Sequence, residues 1–118
     1  NRKKTESKAA EVQESVPVDL DNKGVGPIKS VEFDEAVNEE LVAKGAQTFN
    51  TICIACHALD KRMIGPALSG VYERRSPEWV MNMILNPDVM LKEDPIAKAL
   101  LKEYNIKFMI KNLYLLIL

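Results

Sequence analysis

The chain has 118 residues, 47% of them apolar and 28% charged, with a formal net charge of −1. That length suits one small domain with a thin core rather than two domains. The near-neutral charge argues against nucleic-acid binding as a main activity.

Charge is uneven along the chain. Residues 1–50 carry 7 Lys+Arg against 10 Asp+Glu, and residues 51–118 carry 9 against 7. The second half is therefore mildly basic, which favours encounter with an acidic partner over a range set by salt screening. Residues 1–30 are polar, without helical or strand period, and are punctuated by Pro17, Gly24, Gly26 and Pro27. They read as a flexible leader, either a tether to a membrane anchor or a trimmed tail, ahead of a domain over residues 31–118. The chain starts at Asn1 with no apolar signal core and no transmembrane stretch, which reads as a processed end.

A helix is expected from about Asn38. Asn38 can cap it, Glu39 and Glu40 suit its first turn, and Leu41, Val42, Ala46 and Phe49 form its stripe. Gly45 weakens that helix, so close approach of another helix is expected there. The helix runs into Cys53-Ile54-Ala55-Cys56-His57, which holds every cysteine and histidine of the chain.

Residues 64–71 follow as a loop of turn residues, including Gly65, Pro66 and Gly70. A second helix starts at Ser76 (cap) and Pro77, carries Trp79, Val80, Met83 and Ile84 on one face, and stops at Asn86-Pro87. A third starts at Asp94 (cap) and Pro95, with Ile96, Ala99, Leu100 and Tyr104 inside and Lys98 and Lys102 outside. No alternating strand pattern and no internal repeat occurs. Residues 108–118 are almost all apolar, broken only by Lys111 and Asn112, and should be buried. They are too short to span a membrane.

C-x-x-C-H is the pattern of covalent c-type haem attachment: two thiols bond one haem through thioethers, and the adjacent imidazole binds the iron. A redox dithiol would want a strand–turn–helix context, whereas Cys53 follows a helix. A zinc site would want four ligands, and only Cys53, Cys56 and His57 are at hand.

The chain resembles the class I (monohaem, small-domain) cytochromes c, in particular a bacterial branch. The resemblance rests on Gly45 and Phe49, on Cys53-x-x-Cys56-His57, and on Gly65-Pro66-x-Leu68-x-Gly70-Val71. It extends through Arg74-Arg75-Ser76-Pro77-Glu78-Trp79-Val80 to Asn86-Pro87, covering about residues 41–104. It implies an all-α domain wrapped around one covalent haem, with the first and last helices crossing. A methionine sulfur is expected opposite His57. Met109 is the first candidate, although Phe108 and Ile110 depart from the family's usual setting. Met90, in an expected loop, is the second; Met63 lies too near His57, and Met81 and Met83 suit core filling.

The resemblance further implies that the Pro66 carbonyl accepts from the His57 ring. It implies that Trp79 packs at the haem edge with its N–H on a propionate, and that Arg74 or Arg75, the latter preferred, pairs with a propionate. Tyr114 is the aromatic expected to meet Gly45. Lys61, Lys92, Lys98, Lys102 and Lys107 read as solvated charge.

The function implied is one-electron transfer by a non-enzymatic, monomeric carrier with redox-protein partners, outside the cytoplasm and tethered to a membrane if the leader is an anchor. The alternatives are a haem enzyme or gas sensor with an open iron position, and a cytochrome domain of a larger redox enzyme.

Overall fold

The computed structural model describes residues 16–104. Within them the chain is all-α, with five helices and no strand. Three of the helix starts have the expected chemistry. In α1 (Glu39–Ile52) the Asn38 side chain accepts from the Leu41 N–H at 3.1 Å, and Glu40 pairs with Lys44 at 3.3 Å. A single 3-10 turn, Cys53–Ala55, continues directly from α1. After the loop comes α2 (Val71–Arg74), one turn entered through Gly70 at φ 73°. In α3 (Pro77–Leu85) the Ser76 hydroxyl accepts from the Trp79 N–H at 3.1 Å, and Pro77 needs no donor at the first helical position.

Asn86-Pro87 ends α3 as expected and also begins another helix, α4 (Pro87–Glu93), over a stretch read as loop. Proline at the first helical position both forbids continuation of the old helix and pre-sets φ for the new one. Asp94-Pro95 repeats the device for α5 (Pro95–Tyr104), where the Asp94 Oδ2 accepts from the Ala97 N–H at 2.8 Å. No helix among the described residues is long and apolar enough to cross a membrane.

The core lies in α3, α4 and α5. Trp79, Met90, Ile96, Ala97, Leu100 and Tyr104 are buried together with Val16, and Val80, Met83, Leu91 and Ala99 pack against them. Ile84, expected on the same face as Trp79, is exposed instead. Helix α1 contributes no buried residue, and Leu41, Val42 and Ile52 are exposed. A Cβ at Gly45 would meet nothing within 4 Å among the described residues. The segment expected to cross there, with Tyr114, lies outside them.

Residues 16–31 correct the reading of 1–30 as a flexible leader. They form a strap fastened across the core helices by side chains of α3 and α4 and of the residues that cap α3 and α5. Asn82, 1% exposed, donates to the Lys23 and Ile28 carbonyls (2.9 and 3.0 Å) and accepts from the Ile28 N–H at 3.0 Å. Ser76 donates to the Asn22 carbonyl at 2.7 Å, and Val31 donates to Glu78 at 3.1 Å. Its own N–H and that of Val31 hold the Glu78 carboxyl below the usual carboxylate range. Most of the strap's attachments are made by its backbone; the Asn22 side-chain amide, which donates to Asp94, is an exception. Only Val16 enters the core. Gly24, at φ 72°, lets the strap lie on Met90; a Cβ there would sit 2.8 Å from the methionine sulfur.

Candidate functional site

The site begins where α1 tightens into its 3-10 turn. Cys56 and His57 N–H both donate to the Cys53 carbonyl, at 3.1 and 2.9 Å. That doubled closure brings two thiols and an imidazole onto one turn. Both cysteines are free and half-buried.

The His57 Nδ1 lies 3.0 Å from the Pro66 carbonyl oxygen. A carbonyl only accepts, so Nδ1 carries the proton, and a neutral ring held this way presents its lone pair at Nε2. This is the arrangement of a metal-binding imidazole whose second nitrogen is fixed by a backbone acceptor.

The loop that delivers Pro66 is braced from both sides. Gly65 donates to the Cys56 carbonyl at 2.8 Å, Leu68 to Ala58 at 3.1 Å, and Ser69 to Leu59 at 2.9 Å. Arg74 donates to the carbonyls of Ala67 (2.9 Å) and Ser69 (3.0 Å), which ties α2 to the same loop. Gly65 is buried, and a Cβ on it would fall within 2.9 Å of both imidazole nitrogens. The glycine is there because the ring is. His57 also borders an open depression of ≈ 490 Å³ whose apolar wall is Phe49, Ile54, Leu59 and Met63.

These residues fit a covalent haem. The two thiols stand at the attachment spacing, the tautomer leaves a nitrogen for iron, and the surroundings are apolar. No cluster of three or more His, Cys, Asp or Glu that could hold a bare metal ion occurs among the described residues.

Other expected site residues stand elsewhere. Met90 is not in a loop but on α4, fully buried, with the Val25 N–H directed at its sulfur at 3.1 Å. A sulfur packed there serves the core and the strap, so Met90 is withdrawn as a ligand candidate. Trp79 is buried, and its N–H donates to Asp94 Oδ2 at 2.9 Å. Arg75 is buried too; its Nη1 donates to the carbonyls of Arg74 (2.7 Å) and Pro17 (3.1 Å), and its guanidinium lies 5.5 Å from the Trp79 ring. Burial, then the charge of Arg74, lowers its pKa, and Asp94 and Tyr104 act the other way. Arg75 thus serves the strap and the core helices. Met109 lies outside the described residues. Lys61, Lys92, Lys98 and Lys102 are exposed, as expected.

Two contributions went unread in the sequence. Asp94, expected only as a cap, also accepts from Trp79 and from the Asn22 amide at 2.8 Å. Arg62 reaches from the His57 loop to Glu103 and Tyr104 of α5: Nη2 donates to the Glu103 carbonyl at 3.1 Å, Nη1 pairs with the Glu103 carboxylate at 3.5 Å, and the guanidinium sits 4.0 Å from the Tyr104 ring centroid. An adjacent acid and aromatic, Glu103 and Tyr104, were the only signal.

Comparison with known proteins gives a consistent picture. The family model for cytochrome c matches residues 42–102. Cytochrome c from Rhodothermus marinus is 42% identical, with a TM-score of 0.65, over 86% of this chain and 76% of that one. An engineered cytochrome c from Rhodothermus marinus, bound to a carbene intermediate, is also 42% identical, with a TM-score of 0.65, over 85% of this chain and 78% of that one. No curated protein sequence matches it.

Proposed function

The chain belongs to the cytochrome c family, and from that premise we propose that it is a one-electron carrier using a single haem c bonded to Cys53 and Cys56. When bound, haem supplies the ferrous–ferric couple. Everything else is done by the polypeptide. The Cys53–Cys56 turn would anchor the group, His57 would offer Nε2 to its iron, and Pro66 holds the imidazole at Nδ1. Gly65 leaves room for the ring, and apolar side chains keep water from its surroundings.

Met109 is the proposed sixth ligand. Support comes from α5: Tyr104 lies against Arg62, five residues past His57, and Met109 is five residues beyond Tyr104. Five residues span at most ~17 Å. A methionine opposite a histidine raises the reduction potential, which suits electron transfer. We further propose a location outside the cytoplasm, where this kind of haem attachment occurs, and redox proteins as donor and acceptor.

The observation that carries the reading is the His57–Pro66 contact beside two free thiols at the attachment spacing. Produced in a host that matures c-type cytochromes, the protein should exceed its polypeptide mass by one haem that resists acid extraction. Colourless folded protein with two alkylatable thiols would overturn it. Substituting Met109→Ala should open the iron to carbon monoxide, and Met90→Ala should not.

A second reading, an enzyme or gas-binding site with an open iron position, draws on the engineered relative bound to a carbene intermediate. Fast carbon monoxide binding to the unmutated ferrous protein would favour it.

A further inference from the structure

Two aromatic rings meet on the surface. Phe33, just past the strap, and Tyr72, on α2, are 67% and 53% exposed, yet their ring centroids stand 5.9 Å apart in a tilted pair. Single apolar side chains scattered over a surface need no explanation, but two rings brought together from distant segments make a contiguous patch. Aromatic side chains inside a polar rim are the usual centre of a protein–protein contact.

The rim is acidic. Glu32, Asp34 and Glu35 flank Phe33, Glu73 adjoins Tyr72, and all four are exposed. Residues 31–43 hold five acids and no Lys or Arg. Of the basic residues nearest in the chain, Lys44 pairs with Glu40 at 3.3 Å, and Arg74 is turned to the Ala67 and Ser69 carbonyls, which leaves Lys29 against the four acids. The face is therefore opposite in sign to the mild basic bias of residues 51–118. An aromatic face also attracts a cation directly, so the rings and their rim select the same kind of occupant. The patch is close to the site. Helix α2 follows the loop that holds His57 through Pro66, and Tyr72 is six residues past Pro66. Six residues span at most ~20 Å.

We propose that the Phe33–Tyr72 pair and its acidic rim are the docking surface for a redox partner whose contact face carries lysine or arginine. The proposal deepens the electron-carrier reading and rests on it. The carboxylates draw the cationic face in at long range, and the rings supply the short-range contact that holds it.

The probe is tris(phenanthroline)cobalt(III), a trivalent cation with flat aromatic faces, used with the haem-loaded protein. One electron passes from ferrous iron to cobalt(III), leaving ferric iron and cobalt(II), and no proton moves. Ferricyanide, an anion, is the control oxidant. Phe33→Ser should slow oxidation by the cobalt complex about threefold, the scale of one exposed cation–ring contact, and leave the ferricyanide rate and the melting temperature unchanged. Tyr72→Ser should do the same, and it serves if Phe33→Ser does not fold. Tyr72→Phe keeps the ring and should retain the unmutated rate. Asp34→Asn combined with Glu35→Gln should slow the cobalt reaction at low ionic strength, and the difference should fade as salt rises. On the ferric protein, where no electron can pass, the complex should shift the amide signals of residues 32–35 and 72–73.

Unmutated cobalt rates in Phe33→Ser and Tyr72→Ser overturn the proposal. A marked fall in melting temperature with unchanged rates also overturns it, because the chain's own residues would then cover the rings. So does a dimer that Phe33→Ser abolishes, because the occupant would then be a second copy. Failure of the carrier reading is separate: ferricyanide too would then fail to oxidise the protein. Amide shifts at these residues would still support a docking surface for cations, and shifts confined to other residues would overturn it.

Discussion

Gly65 has no side chain because the His57 ring occupies the space one would need. An added methyl group there meets both ring nitrogens with the Cys56 carbonyl bond fixing the backbone behind it. Gly65→Ala should therefore push the imidazole off the Pro66 carbonyl and cost about 1–3 kcal/mol, the usual range for overfilling a packed site. A lowered melting temperature together with a shifted reduction potential would show that the ring itself moved; a lowered melting temperature alone would place the strain elsewhere. The attachment residues were legible because the chemistry demands those residue types at that spacing. The surroundings of Arg75 and Trp79 were not. A guanidinium or an indole N–H announces that it wants an oxygen, not whose oxygen. Trp79 found Asp94, whose two oxygens serve three donors at once, and Arg75 found two backbone carbonyls.

Helix starts were readable at Asn38, Ser76 and Asp94, where a capping side chain stands beside a proline or an acid and does cap. Helix α4 was missed for a physical reason. At seven residues it is too short to show a period, and Asn86 spends its side chain on the Val25 carbonyl rather than on a cap. The strap was missed because periodicity registers side-chain burial, whereas residues 16–31 are held mostly through backbone groups. Asn82 is the main fastener. Asn82→Ala removes three bonds to the strap and leaves the Ile28 N–H and two carbonyls to find water. The expected cost is about 2–4 kcal/mol. Trypsin should then cut at Lys23 or Lys29 well before it cuts α3. A strap that stays resistant in this variant would mean that Val16 and Met90 hold it without Asn82.

For the molecule as a whole, the division of the core matters most. The α3–α5 body closes on itself, while α1 leaves Leu41, Val42 and Ile52 exposed, and a Cβ at Gly45 would meet nothing within 4 Å among the described residues. An amphipathic stripe of that kind stabilises a helix only when covered. Tyr114 is the proposed cover, within the apolar terminal stretch. Tyr114→Ala should lower the melting temperature of the haem-loaded protein by about 10 °C or more, a typical loss for a buried aromatic in a domain of this size; no change would rule Tyr114 out. The family and the helical class could be read from the sequence, but this division could not, because a stripe says that a face is to be covered without saying by what.

The strap carries a consequence for the order of folding. Its hydrogen bonds join residues 47 to 72 positions apart. Contacts that close such long loops are entropically late, and these need the surface of α3 and α4 to exist first. The strap should arrive after the helices have assembled and leave before they come apart, so a folding chain exposes Met90 and Asn82 until residues 16–31 return to cover them.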